Sequence, residues 1–205
     1  MFEYNRGDFD ISVAKGSCSK WQVCGRKSLV KNELINVFGK ICFFTEISNT
    51  AETDSTNQNV ATNILGIEHF IPRNKDNINN IYDFDWNNLF LAHNQWNHKK
   101  GKDVDSNQLI NESVYSDWLI WVNDPKKYFS YKNEVNYIKL IPNPNLDFDM
   151  SIKVIDFINK MKLNSFSENG ARDLAERRFY AFNLNLNERN NFPSMFEFFS
   201  KNLHN

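Results

Sequence analysis

The stretch WNNLFLAHNQWNHKKG, residues 86–101, decides how this chain is read. Its first half is a short apolar run of the kind that forms a strand. Its second half opens on asparagine, a residue that caps helices, and closes on Gly101, which can end one. Upstream, ILGIEHFIP (64–72) is another apolar segment, ending in His69 and stopped by Pro72. The order is therefore an apolar segment ending in histidine, a loop, a strand and a short helix. Three of the four histidines, His69, His93 and His98, fall inside this window. A core histidine with two helix-end histidines would explain the clustering as well as a metal site would.

The flanks fill in the rest of an α+β fold. GRKSLVKNELINVFGK places Val30, Leu34, Val37 and Phe38 at helical spacing, with Gly39 to end the helix. KICFFTE is a strand or a packed turn, and SNTAETDSTNQNVATN and RNKDNINNIYDFD are polar enough to be loops. DWLIWV and VNYIKLI have the aromatic and β-branched content of strands, and PNPN at 142–145 breaks the chain. Beyond it the pattern is helical. Ile155, Ile158 and Met161 mark one face, and Ala171, Leu174, Ala175, Phe179, Phe182 and Leu186 mark another. After Pro193, Ser194 and Glu197 form a capping-box pattern opening a last helix with Met195, Phe196 and Phe199.

Composition narrows the function classes. With 205 residues, 41% of them hydrophobic, and no sign of an internal boundary, one domain spanning 1–205 is expected. Lys and Arg number 24 against 25 acidic residues, so no global charge points to nucleic acid or to a membrane. Any basic patch is local. Lys99, Lys100 and Lys102, with Arg73 and Lys75, are either such a patch or a solvated loop face. Cys18, Cys24 and Cys42 are odd in number and form no CxxC pair, which favours a reducing compartment. The sequence opens without a charged-then-apolar leader and has no membrane-length apolar run, so a cytoplasmic location is expected.

EHF at 68–70, NNL at 87–89 and NHKKG at 97–101 resemble the HNH endonuclease signature. The flanks sharpen this. ICFFTE, EHFIPR and WNNLFLAHNQWNHKKG resemble the HNH proteins of the Septu and retron-associated anti-phage defence systems (PtuB-like). NDPKKYFSY, VNYIKLIPN and MKLNSFSENGARDLAERR are similar to the downstream part of that family, so the likeness runs from about 26 to 190. It implies a ββα-metal (HNH, His-Me finger) core at about 40–102, embedded in further helices and short strands, with a helical region at about 150–205.

The resemblance also implies roles. His69 would be the general base, Glu68 a metal ligand, and Asn88 the residue that holds the hairpin loop and orients the histidine. Asn97 would be the second ligand, with His98 beside it as an alternative. Carboxylate and amide oxygens suit Mg²⁺ or Mn²⁺. Lys99 and Lys100 would meet the substrate backbone, and Arg73 could grip a phosphate. One departure stands out. Where the family carries two CxxC pairs on a structural Zn²⁺, this chain has Cys42 with Thr45 and His93 with Trp96. Tetrahedral zinc needs four donors, and Thr and Trp supply none at neutral pH. The structural zinc is therefore expected to be absent, with Trp96 packed against Phe43 and Phe44 in its place and at most a weak residual site at Cys42 and His93.

Two functions follow from the resemblance. One is a metal-dependent endonuclease subunit of an anti-phage complex, working with an ABC/SMC-like ATPase (PtuA-like) on DNA or RNA. Retron versions would add a reverse transcriptase and its RNA–DNA product. The other is a catalytically silent, HNH-derived scaffold or nucleic-acid-binding subunit of the same complex, which the loss of zinc donors motivates.

Overall fold

The computed structural model describes residues 9–18, 21, 24–46, 65–71, 81–100, 112–167, 173–183 and 192–202. The elements are helices α1 (Ser12–Lys15) and α2 (Lys27–Phe38), strands β1 (Leu65–His69) and β2 (Leu89–His93), and helix α3 (Asn94–Lys100). Then come α4 (Glu112–Asn123), α5 (Pro125–Tyr128), β3 (Phe129–Glu134), β4 (Tyr137–Pro142), α6 (Phe148–Lys160), α7 (Leu174–Asn183) and α8 (Pro193–Asn202). The class is α+β, built on two separate two-stranded antiparallel sheets, β1 with β2 and β3 with β4.

Helix α2 forms where its period predicts, burying Val30, Leu34 and Phe38 and ending at Gly39, whose φ of +69° suits a residue without a Cβ. KICFFTE is a turn, with the Glu46 amide donating to the Cys42 carbonyl at 2.8 Å. DWLIWV is not a strand but part of α4. Trp118, Trp121 and Val122 are its buried residues, and i, i+3, i+4 is a helical spacing. On α6 the buried face is Val154, Phe157 and Ile158, continued by Met161, whereas Ile155 points outward. Ala171 and Leu186 lie outside the described residues.

Two phenylalanines tie the layers together. Phe90 of β2 packs among Phe38, Phe43, Phe44 and Phe70 at centroid distances of 4.6–6.0 Å. Phe157 of α6 meets Phe70, Trp118, Trp121 and Phe129, joining the first sheet to α4 and β3. Ring contacts of this kind add about 0.5–1.5 kcal/mol each beyond simple burial.

The capping box at Ser194 does not form. Pro193 is the first residue of α8, as its missing N–H and fixed φ favour, so Ser194 already lies inside the helix. Its hydroxyl donates instead to Glu46, which also accepts from Tyr131 at 2.8 Å. Glu197 pairs with Lys126 and Lys201. Burial by itself favours a neutral Glu46, yet nearby positive charge, Arg178 included, and the Ser194 hydroxyl hold its carboxyl below the ordinary range. Burial, then the Glu46 charge, push the Tyr131 phenol well up, so it stays a donor.

A carboxylate whose folded pKa is depressed stabilises the fold above its unfolded pKa of about 4.3, and that contribution is lost as pH falls through the folded value. Thermal melts taken downward from neutral pH should therefore lose stability below about pH 4.3. Glu46→Gln should cost about 2 kcal/mol at neutral pH and remove that part of the acid limb.

Candidate active site

The β1–β2 register pairs Leu65 with His93, Ile67 with Leu91, Glu68 with Phe90 and His69 with Leu89. Helix α3 follows β2 with no intervening residue and packs back on both strands. Gly66 permits that approach: a Cβ there would lie 2.7 Å from Asn94 Oδ1. The cap of α3 is an imidazole rather than an asparagine, since His93 Nδ1 accepts the Gln95 amide at 3.3 Å.

His69 is the last residue of β1 and is buried. Its Nε2 lies 3.0 Å from the Asp83 carbonyl oxygen. A carbonyl only accepts, so Nε2 carries the proton, and Nδ1 is the lone-pair nitrogen of the neutral ring. Trp21 and the imidazole stand nearly perpendicular at a centroid distance of 4.9 Å, and Trp21 also touches Phe84. The ring is thus fixed in tautomer and in plane. Successive strand residues face opposite sides, so Glu68, also buried, leaves β1 on the side shared with Phe90.

Asn88 is fully buried at the end of a short 3-10 turn, Trp86–Asn88, which Asp85 caps by accepting the Asn87 amide. Its Oδ1 accepts the Ile71 amide at 2.7 Å, and its Nδ2 donates to the carbonyls of Ile71 (3.2 Å) and Tyr82 (3.1 Å). Its own carbonyl accepts the Phe70 amide at 2.9 Å. One side chain thereby fastens the chain leaving His69 to the segment carrying Asp83.

Asn97 is half-buried on α3. His98, Lys99 and Lys100 continue that helix, with side chains outside the described part of the molecule, and Arg73 lies outside the described residues. Among the described residues, no three His, Cys, Asp or Glu side chains group as a metal site. Glu68 and Asn97 offer one carboxylate and one amide oxygen. That set suits a hard cation, because Mg²⁺ is commonly held by one or two protein oxygens with water and substrate phosphate completing its shell.

Sequence reasoning missed Trp21 and Asp83. Asp83 holds the imidazole through its carbonyl, and its Oδ1 is buried without a hydrogen-bond partner among the described residues. Neither residue sits in a recognisable spacing with His69, and only the folded chain joins them.

Behind the hairpin, Cys42 Sγ accepts the amides of His93 (3.2 Å) and Thr45 (3.5 Å). Burial pushes its thiol up, which opposes the thiolate a metal requires. Trp96 stacks on Phe44 at 4.1 Å and 12°, and its Nε1 donates to the Met161 carbonyl at 3.1 Å. Cys42 and His93 therefore serve as hydrogen-bonding joints between the turn, β2 and α3. A scan against protein-family models and searches of curated proteins and of solved structures find no match to this chain.

Proposed function

We propose that the chain is a metal-dependent HNH endonuclease subunit that hydrolyses nucleic-acid phosphodiester bonds in an anti-phage defence complex, with an ABC/SMC-like ATPase as partner. The observation that carries this reading is the Nε2–H donated by His69 to the Asp83 carbonyl, at the end of a strand hairpin followed directly by a helix. A structural histidine needs only a partner. A base needs a fixed tautomer with its lone pair on the other nitrogen, and the Nε2–H bond to a carbonyl supports that reading.

In the proposed reaction His69 Nδ1 takes the proton of a water as its oxygen attacks phosphorus, and the P–O bond to the leaving oxygen breaks. A bound Mg²⁺ or Mn²⁺ would supply charge neutralisation on the phosphate and the leaving oxygen. Glu68 and Asn97, with His98 as the alternative donor, would hold it. Asn88 acts only through the loop it fastens. Lys99, Lys100 and Arg73 would contact phosphates, a sequence-independent role that fits DNA and RNA alike. In this reading Trp96 on Phe44 takes the place of the family's structural zinc. A retron reverse transcriptase with its RNA–DNA product would be a further partner in one version of the complex, and the cytoplasm its setting. No helix among the described residues is long and apolar enough to cross a membrane.

The second reading, a catalytically silent scaffold, is favoured by the small donor set and the lost zinc ligands. The test is cleavage of DNA and RNA by the purified chain, alone and with an ABC/SMC-like ATPase of the PtuA-like kind, in Mg²⁺, in Mn²⁺ and in chelator. Products that require the metal, lost with Glu68→Ala, support the nuclease. Wild type and Glu68→Ala behaving alike on every substrate would leave the scaffold.

A further inference from the structure

A cleft of about 470 Å³ is lined jointly by α5, β3, β4, the loop through Asn143 and the helix α8. Its walls are mainly apolar. Phe129, Leu140 and Phe198 line it, and the Tyr131 ring meets that of Phe198 at a centroid distance of 5.8 Å. Tyr131 and Ser194 also border the cleft, but their hydroxyls are engaged with each other and with Glu46. Charge enters through three side chains. Among the described residues, the charged ones lining the cleft are Lys126, Lys201 and Glu197. Glu197 Oε1 lies 3.7 Å from Lys126 Nζ and is bonded by Lys201 Nζ, so one carboxylate oxygen faces two ammonium groups. The lysines are 53 and 65% exposed, which places them at the mouth.

We propose that this cleft binds a small aromatic anion, with its ring among Phe129, Tyr131 and Phe198 and its carboxylate or phosphate held at the mouth by Lys126 and Lys201. The volume falls in the range of about 300–1,000 Å³ that small-molecule sites occupy, and an apolar wall with a few charged groups is their usual make-up. The three rings favour an aromatic guest, because ring contacts add to simple burial. Charge selects among such guests. A cation would meet two like charges against one carboxylate, and a neutral ring would gain nothing from them. The inference does not depend on the nuclease reading.

Titration of the full chain with anilinonaphthalene sulfonate, an aromatic anion whose emission rises in apolar surroundings, tests it. One saturable site per chain is expected. Lys126→Glu and Lys201→Glu together should weaken binding by about tenfold or more, with an unchanged far-UV spectrum because both positions are on the surface. N-phenylnaphthylamine, which has the rings without the sulfonate, should bind more weakly than the anion to wild type and equally well to wild type and the double variant. Ile152→Asp, on the exposed apolar stripe of α6, should change nothing. A wild type without a saturable site, a double variant that binds the anion as tightly as wild type, a neutral probe as tight as the anion, or a site lost with Ile152→Asp would each overturn the proposal.

Discussion

Replacing His69 with alanine is expected to lower metal-dependent cleavage by about 10²–10⁴-fold, the usual contribution of a positioned general base. Loss of rate alone would not separate a base from a residue that merely holds the loop. His69→Gln does. Its amide can still donate to the Asp83 carbonyl, which now binds Nε2 at 3.0 Å, but it offers no basic lone pair. Both variants should lose rate alike, while alanine, which leaves the carbonyl unmet, should lose more thermal stability. The wild-type rate should rise as an imidazole gives up its proton, and that limb should vanish in both variants. A glutamine variant that keeps the wild-type rate would end the assignment of His69 as base.

Asn88→Ala is expected to be the most damaging polar substitution near the site. It strips partners from the Ile71 amide and from the carbonyls of Ile71 and Tyr82, around a side chain with no exposed surface. Each stranded group costs roughly 1–3 kcal/mol, and a total of about 3–5 kcal/mol allows for some readmitted water. For a chain of this size that lowers the melting temperature by about 10 °C or more. Asn88→Asp is the sharper comparison. A carboxylate can accept the Ile71 amide but cannot donate to the two carbonyls, so at neutral pH it should rescue little. A change of under about 1 kcal/mol in either variant would show that the loop is held by something else.

How much of this was legible in the sequence depends on how far apart the interacting residues lie. Helix α2 could be read because Val30, Leu34 and Phe38 recur locally and Gly39 closes the pattern. The order of β1, β2 and α3 was legible for the same reason. DWLIWV misled because tryptophan, isoleucine and valine favour strands by propensity. Burial of Trp118 and Trp121 against Phe157, a contact made from a distant helix, decided for α4. The α6 face was misjudged through Ile155, because a helix apolar on two sides gives no local sign of which side is covered. Ser194 had the spacing of a cap, but Pro193 took the first helical position and a carboxylate far along the chain took the hydroxyl. Trp21 and Asp83 were silent in the sequence because their roles exist only once His69 is in place.

The fastening of Glu46 carries a consequence for biosynthesis. Its carboxylate is met by Tyr131, 85 positions later, and by Ser194, 148 positions later, while its carbonyl receives the Phe192 amide. A nascent chain can make the Tyr131 bond once β3 has left the exit tunnel of the ribosome, whereas the Ser194 and Phe192 bonds wait for α8. Until α8 is made, the buried Glu46 carboxylate has only part of its hydrogen-bonding shell, so the joint between the Cys42–Glu46 turn and α8 is a late event of folding during synthesis.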